Sequence, residues 1–344
     1  MPLTATIMMY LGLITGTTIV MMSHIWLTAW MGLAMNTIAA LPIIAKPNHP
    51  RAIEASTKYF LTQTIASALL LASSTFNAWQ MGHMNITQMT GKPAATVMII
   101  ALAMKLGAAP THFWLPEVLQ GSTMKTCLLI TTWQKIAPVT LMYMISNHTP
   151  TYMTMTIAIL STAVGGWGGM NQTQLRKMMA YSSISNTGWT MLVLTLNPNL
   201  ALMNIAVYII MTIPVFLIMT ESSTKTMQDI STMWAVSPAM STMLAILLLS
   251  LSGVPPLTGF IPKLLILNET VSQNFTLTAT IMALMSLLNL MFYMRTAYLT
   301  MMLTPPISSP TTVLWRQKIN HTVLITTLIP TATASITLMP TIVP

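Results

Sequence analysis

Acidic residues and cysteine are scarce in this chain of 344 residues, which holds five Asp and Glu residues and a single cysteine, Cys127. One thiol cannot form an internal disulfide, ligate an iron–sulfur cluster or complete a structural zinc site. Charged residues make up 6% of the sequence, whereas a soluble globular protein carries about 25%. The chain therefore cannot cover a water-facing surface of its size, which excludes an ordinary soluble enzyme.

Hydrophobic residues are abundant: they make up 54% of the chain, and the mean hydropathy is +0.69. A membrane-spanning helix needs about 20 apolar residues, and the apolar runs here are continuous, unlike the alternating strands of a membrane barrel. We therefore predict an all-α membrane protein, with a single transmembrane domain over residues 1–344 and about eleven transmembrane helices. The predicted helices cover residues 3–23, 25–45, 58–80, 94–121, 124–146, 150–170, 174–195, 199–220, 239–272, 275–302 and 321–343.

The basic residues outside these helices fall mostly on one side of the predicted membrane. Lys92 lies on the opposite side. Cytoplasmic or matrix loops of membrane proteins carry such an excess of Lys and Arg, so we expect the N-terminus on the inner face. The net charge of +9 reflects scarce acids more than abundant bases, and nucleic acid is not expected as a partner. The basic residues on the side of the N-terminus are Lys46, Arg51, Lys58, Lys125, Arg176, Lys177, Lys225, Arg295, Arg316 and Lys318.

Three lysines, Lys105, Lys135 and Lys263, lie inside apolar segments. A charge at the centre of a bilayer costs about 2.5–3.5 kcal/mol on insertion scales, so an intramembrane lysine is a functional-site hypothesis by default. The alternative is that the long side chain reaches an interface, which requires a nearby helix end. Lys105 and Lys135 are predicted near the midplane, and Lys263 nearer the end of its segment.

Two of the predicted helices are interrupted by glycine and proline beside a lysine. In the segment 94–121, Pro110 follows Lys105, and in the segment 239–272, Pro255 and Pro256 precede Lys263. Proline frees a backbone carbonyl, and irregular backbone inside a membrane survives where it is buried in protein or lines a hydrated cavity. One interrupted segment in each half indicates inverted repeats with an ion path at their interface. Packing kinks are the alternative.

His112 lies seven positions after Lys105 and would share its helical face if the helix resumed after the break. Its ordinary pKa near neutrality suits a proton relay, and a packed, hydrogen-bonded histidine is the alternative. Glu117 is expected to pair with Lys125 near the basic side. Haem would require two intramembrane histidines, and His112 alone is clearly inside a span. No dinucleotide or phosphate-loop motif occurs, so we expect no redox cofactor and no metal in this chain.

The strings HPRAIEASTKYFLTQ, ALAMKLGAAPTHFWLPEVLQG, TTWQKIAP, GGWGGMNQTQLRKMMAYSSIS and SGVPPLTGFIPK resemble the NADH dehydrogenase subunit 2 family of animal mitochondria. Members of that family are antiporter-like membrane subunits of respiratory complex I, related to Mrp-type antiporters. The resemblance runs along nearly the whole chain. It implies a fold of two inverted five-helix repeats in an eleven-helix protein, multi-pass in the mitochondrial inner membrane, with the basic face and the N-terminus in the matrix.

The resemblance also implies roles for the three lysines. Lys105 matches the switching lysine, Lys135 the connecting lysine and Lys263 the terminal lysine of a proton path. Two positions depart from the family: Ala34 stands where a carboxylate is usual, and Asn186 where histidine is common. The first departure puts the usual lysine–carboxylate coupling in doubt, and the second weakens one relay step.

Three functions follow from these observations. The favoured one is a proton-translocating module of NADH:ubiquinone oxidoreductase, with NADH, FMN, iron–sulfur clusters and ubiquinone bound by other subunits. The expected partners are other membrane-arm subunits, including neighbouring antiporter-like subunits, and phospholipids. The alternatives are a structural subunit of the same complex with reduced or lost translocation, and a free-standing cation/proton antiporter.

Overall fold

The computed structural model describes residues 3–89, 91–236, 238–301, 329–330 and 332–333, and these residues are predominantly helical. Two isolated bridges, between Ile25 and Asn85 and between Gln174 and Thr226, are the β-type pairings within those ranges. The helices are α1 (Leu3–Met22), α2 (Trp26–Ala45), α3 (Pro50–Met81), α4 (Lys92–Leu106), α5 (Trp114–Gly121), α6 (Met124–Thr131), α7 (Trp133–Ile145), α8 (Thr151–Met170), α9 (Leu175–Val193), α10 (Pro198–Glu221), α11 (Met227–Val236), α12 (Pro238–Ser252), α13 (Phe260–Ser272) and α14 (Thr276–Met301).

Helices α1, α2, α8, α9, α10 and α14 have nearly the bounds predicted from the apolar runs. Four of the described helices are long and apolar enough to cross a membrane: α1, α2, α10 and α14. The shorter α12 is also apolar. The predicted helix 321–343 lies outside the described residues apart from 329–330 and 332–333.

The predicted start of α3 at residue 58 is wrong, because the helix begins eight residues earlier, at Pro50. Proline suits the first helical position, and the His49 ring accepts a hydrogen bond from the Arg51 backbone at 3.3 Å. At about 1.5 Å per residue, the 32 residues of α3 exceed the roughly 30 Å of a bilayer's hydrocarbon core. The first turns contain the charged residues Arg51, Glu54 and Lys58, so apolar periodicity gives no signal for them.

Two further predictions from the apolar pattern are wrong. Residues 227–236 were expected to form part of a connection, and they form α11. The Asp229 carboxylate accepts hydrogen bonds from the backbone N–H groups of Lys225 and Thr226, both at 2.8 Å, and this capping stabilises the helix start. The predicted continuous helix 124–146 is divided into α6 and α7 at Thr132.

The described residues belong to two compact units. The first comprises residues 1–161 and 190–202. Within it α3 packs against α2, α4 and α5, while α7 packs against α1 and α4. Helices α1 and α2 approach closely at Gly16, where an added Cβ would lie 2.9 Å from the Gly32 carbonyl oxygen. The prediction of a single domain over 1–344 stays a prediction.

The second unit comprises residues 162–189 and 203–344, and within its described part α14 packs against α11, α12 and α13. The end of α8 carries glycines where it meets its neighbours. A Cβ on Gly165 would lie 2.7 Å from the Ser185 Cβ of α9, and one on Gly169 would lie 2.9 Å from the Phe292 ring of α14. These small residues allow the close helix contact expected of such a cluster.

Candidate functional site

Lys105 lies in the last turn of α4, which ends at Leu106 because Gly107 adopts a left-handed conformation with φ 75°. The Gly107 N–H donates back to the carbonyl oxygens of Ala103 and Met104, an arrangement that only glycine adopts without strain. The Lys105 side chain is 5% exposed. Among the described residues its Nζ has no hydrogen-bond partner, which is rare for a buried charged group and requires an explanation.

His112 lies in the irregular segment between α4 and α5, together with Pro110. Its Nδ1 is 3.2 Å from the Pro110 carbonyl oxygen, and its ring centroid is 4.2 Å from that of Phe113. The helix does not resume between Lys105 and His112, since α4 ends at Leu106 and α5 begins at Trp114, so the two residues do not share a helical face. A relay role for His112 stays a prediction.

Lys135 lies in the first turn of α7, immediately after the break at Thr132, and is 3% exposed. Two hydroxyls at the end of α6 bond to carbonyls of the preceding turn: Thr131 donates to Cys127 at 3.0 Å, and Thr132 donates to Leu128 at 2.7 Å. Such back-bonding weakens and bends a helix.

One cavity in the first unit is lined by both lysines, so the structure brings Lys105 and Lys135 together. The cavity is small, with room for about one water molecule. No carboxylate lines it, and neither Ala34 nor His112 does. Its polar lining, besides the lysines, consists of Asn36, Thr37, Tyr59, Gln63 and Gln134, together with Trp114. Sequence reasoning singled out neither Asn36 nor Gln134, although Gln134 directly precedes Lys135 in the motif TTWQKIAP.

Lys263 has a different environment, in the second unit, where it is 9% exposed. Its Nζ donates to the Ser252 carbonyl oxygen at 2.6 Å and lies 3.5 Å from that of Leu251. In a continuous helix those carbonyls would accept from residues 256 and 255, and both are prolines, which have no N–H. Lys263 therefore caps the two carbonyls that Pro255 and Pro256 leave without a partner.

Asn186 is buried in α9, and its Nδ2 donates to the Ser182 carbonyl oxygen one turn earlier, at 3.0 Å. This amide therefore hydrogen-bonds within its own helix. The part that Asn186 plays in a polar axis stays a prediction.

The predicted pair of Glu117 with Lys125 is wrong. Glu117, at the start of α5, pairs instead with Lys58 of α3: its Oε2 lies 2.6 Å from the Lys58 Nζ. Glu54 pairs with the same ammonium group, also at 2.6 Å. The hydrogen bond from Lys58 and its charge hold the pKa of Glu54 below its ordinary value. The sequence did not reveal Lys58 as the partner of Glu117, because their contact depends on the packing of α5 against α3.

Within the described ranges, no three His, Cys, Asp or Glu side chains come together in an arrangement that suits a metal ion. Cys127 is a buried thiol.

Comparison with known structures shows which fold this chain has. A chain of respiratory complex I from Thermus thermophilus superimposes with a TM-score of 0.84 at 20% identity, over 98% of this chain and 79% of that one. A chain of the Mrp complex from Dietzia sp. DQ12-45-1b gives a TM-score of 0.77 at 17% identity, over 85% of this chain and 59% of that one. The fold is thus that of antiporter-like membrane proteins.

Sequence comparison narrows the class to a family. The model described as NADH:quinone oxidoreductase/Mrp antiporter, transmembrane, matches residues 23–289. NADH-ubiquinone oxidoreductase chain 2 of Polypterus ornatipinnis is 46% identical over 335 residues, which cover 97% of each chain. The chain belongs to this NADH-ubiquinone oxidoreductase chain 2 family, and the resemblance carried by its sequence motifs is confirmed.

Proposed function

We propose that this chain is a core membrane-arm subunit of NADH:ubiquinone oxidoreductase, respiratory complex I, and that it contributes a proton-translocation module. The observation that carries this proposal is the cavity of the first unit, which is lined by Lys105 and Lys135 within an apolar helical protein. Burying two amines in such surroundings is unfavourable, and intramembrane ionisable residues mark ion and proton paths.

The chain contributes to the enzyme without carrying its redox chemistry. NADH, FMN, iron–sulfur clusters and ubiquinone are bound by other subunits, and this subunit couples their reaction to proton movement. Its partners are other membrane-arm subunits, including neighbouring antiporter-like subunits, and phospholipids. Nucleic acid is not a partner.

The proton path of this proposal uses the lysines in sequence. Lys105 is the switching group, Lys135 the connecting group and Lys263 the terminal group, with His112 as a relay beside the first break. Eleven membrane-spanning helices in two inverted repeats provide the frame. The interruptions next to Lys105 and Lys263 support this arrangement, because broken helices in a membrane accompany ion sites.

A structural subunit with reduced or lost translocation is the second candidate function. Ala34 removes the carboxylate that is usual in the family, and no lining residue of the cavity supplies another. An opposite charge near a lysine favours its protonated form. Without that charge the switch at Lys105 is weaker, and coupling then depends on neighbouring subunits.

Substitution of the cavity lysines in assembled complex I tests the proposed function. In sealed membranes we expect Lys105→Met and Lys135→Met to lower coupled NADH oxidation and the number of protons moved per electron. Lys125→Met is the matched control, because Lys125 is an exposed lysine at the start of α6. If both cavity variants assemble and pump like the control, the structural alternative is correct.

The proposed location is the mitochondrial inner membrane, with the N-terminus in the matrix. Cysteines introduced at two exposed positions test the orientation: Lys46→Cys precedes α3, and Asn85→Cys follows it. The native Cys127 is fully buried and gives little background. We expect an impermeant maleimide to label residue 46 from the matrix side and residue 85 from the intermembrane space. The reverse pattern would overturn the orientation.

A further inference from the structure

The cavity between the two lysines of the first unit contains a group of buried polar atoms without partners. Asn36 of α2 is 2% exposed, and in the described structure neither its Nδ2 nor its Oδ1 has a hydrogen-bond partner. The same holds for the Gln134 Nε2 of α7 and the Lys105 Nζ of α4. All three side chains line one cavity. Buried polar groups are nearly always hydrogen-bonded, so their convergence points to a shared bound molecule.

Asn36 lies two residues after Ala34 on α2, so the two side chains lie on roughly opposite faces of that helix. Thr37, beside it, is already satisfied, because its hydroxyl donates to the Ala34 carbonyl oxygen at 2.8 Å. The Gln63 Nε2 donates to the backbone carbonyl oxygen of Lys105 at 3.5 Å, so this amide already has a partner. Asn36 and Gln134 are therefore the lining amides that stay available for a bound molecule.

Among the described residues, no acidic side chain lines the cavity beside Lys105. The titratable groups that line the cavity with it are Lys135 from α7 and Tyr59 from α3. Glu54 and Glu117 are bound to Lys58. The other acids, Glu221, Asp229 and Glu269, belong to the second unit. Any acceptor that the Lys105 Nζ finds in this cavity is therefore a neutral group.

We propose that Asn36 and Gln134 hold one bound water against Lys105, and that Asn36 is a positioning residue for proton transfer there. This inference rests on the proposed function. The water accepts hydrogen bonds from the Lys105 Nζ and the Gln134 Nε2, and it donates to the Asn36 carboxamide oxygen. The cavity has room for about one such molecule.

Water fits this site better than a small anion. The Asn36 carboxamide offers both a donor and an acceptor, whichever way its oxygen and nitrogen are assigned. An anion satisfies donors and leaves the acceptor of Asn36 without a partner, whereas water satisfies both. A water bonded to an amine also forms the link through which a proton leaves or reaches that amine.

Three variants in assembled complex I test this role. Asn36→Leu keeps the size of the side chain and removes both polar atoms. Asn36→Asp keeps the shape and supplies a carboxylate. Thr37→Val is the matched control, because it changes the same cavity wall at a hydroxyl that is already bonded to its own helix. Each is measured by coupled NADH oxidation across pH and by density at water-resolving resolution.

Asn36→Leu is expected to lower coupled turnover about tenfold, the effect of losing one charge-assisted hydrogen bond. It should also remove density for a water at Lys105. An acceptor beside an amine favours its protonated form, so the alkaline limb of the pH profile should move to lower pH in Asn36→Leu and to higher pH in Asn36→Asp. A merely structural role would not give opposite displacements in the two variants. Thr37→Val should resemble wild type.

Two results would overturn the inference. One is a wild-type density map with no water between Asn36 and Lys105. The other is an assembled Asn36→Leu variant that turns over with the wild-type pH profile. If Lys105→Met and Lys135→Met still lower pumping in the same membranes, the role of Asn36 fails while the proposed function stands. If both lysine variants pump normally, the proposed function itself fails.

Discussion

Replacing Lys263 with methionine tests whether this lysine holds the break between α12 and α13 together. Its ammonium donates to the Ser252 carbonyl oxygen at 2.6 Å and lies 3.5 Å from the Leu251 carbonyl oxygen. Pro255 and Pro256 remove the backbone donors that would otherwise serve those carbonyls. Methionine has a similar length and no donor, so Lys263→Met leaves both carbonyls without their partner.

The expected loss of stability follows from comparing Lys263, which makes hydrogen bonds, with Lys105, which makes none within the described residues. Hydrogen bonds to charged groups contribute about 1.5–3 kcal/mol, and a buried acceptor left without a partner costs a similar amount. Because one of the two contacts is long, we expect Lys263→Met to destabilise the protein by about 2 kcal/mol. Lys105 makes no side-chain hydrogen bond within the described residues, so Lys105→Met should be neutral or slightly stabilising.

Thermal inactivation of the purified, assembled complex is a suitable assay, with Lys105→Met as the matched control. At about 1.36 kcal/mol per tenfold, Lys263→Met should inactivate up to about 30-fold faster than wild type. Lys263→Gln retains a donor and should recover part of the loss. Equal inactivation rates for wild type and Lys263→Met would refute the capping role, whatever the two variants do to pumping.

Two further predictions concern packing and surface charge. Gly165→Ala places a Cβ 2.7 Å from the Ser185 Cβ and should destabilise the second unit by about 1–3 kcal/mol. Blue native gels should show less assembled complex than for Gly91→Ala, whose Cβ meets the movable end of a side chain, and equal amounts would contradict the packing argument. The pKa of Glu54 is held below its ordinary value of 4.5 by Lys58, so this ion pair stabilises the fold above that pH, and the contribution is lost as pH falls through the lowered pKa. Lys58→Met should therefore flatten the acid limb of a stability-versus-pH curve at low salt, and an unchanged limb would contradict the prediction.

Composition alone determined the class of this protein. With 6% charged residues and long apolar runs, a chain of this length is stable only where lipid and partner subunits cover its surface. The same runs located most helices to within a few residues, because a membrane-spanning helix has a length set by the bilayer. Motifs around Lys105, Lys135 and Lys263 then identified the family. These properties are local, so they can be read in sequence order.

The apolar pattern failed where polar contacts decide the structure. Helix α11 begins at Met227 and is capped by the Asp229 carboxylate in its first turn, and α6 is divided from α7 at Thr132. The early start of α3 depends on Pro50. Each of these is a hydrogen-bonding or backbone effect that leaves little trace in hydropathy.

Tertiary structure alone decided what each buried lysine contacts. Lys263 and the carbonyls it caps lie on opposite sides of a break, and Glu117 meets Lys58 because α5 packs on α3. Asn36 reaches the cavity of Lys105 although 68 residues separate them in sequence, since α2 and α4 both pack against α3. A lone asparagine in an apolar helix has no distinguishing sequence signal. Its role depends on which polar groups share its cavity, and only the packing of distant helices determines that.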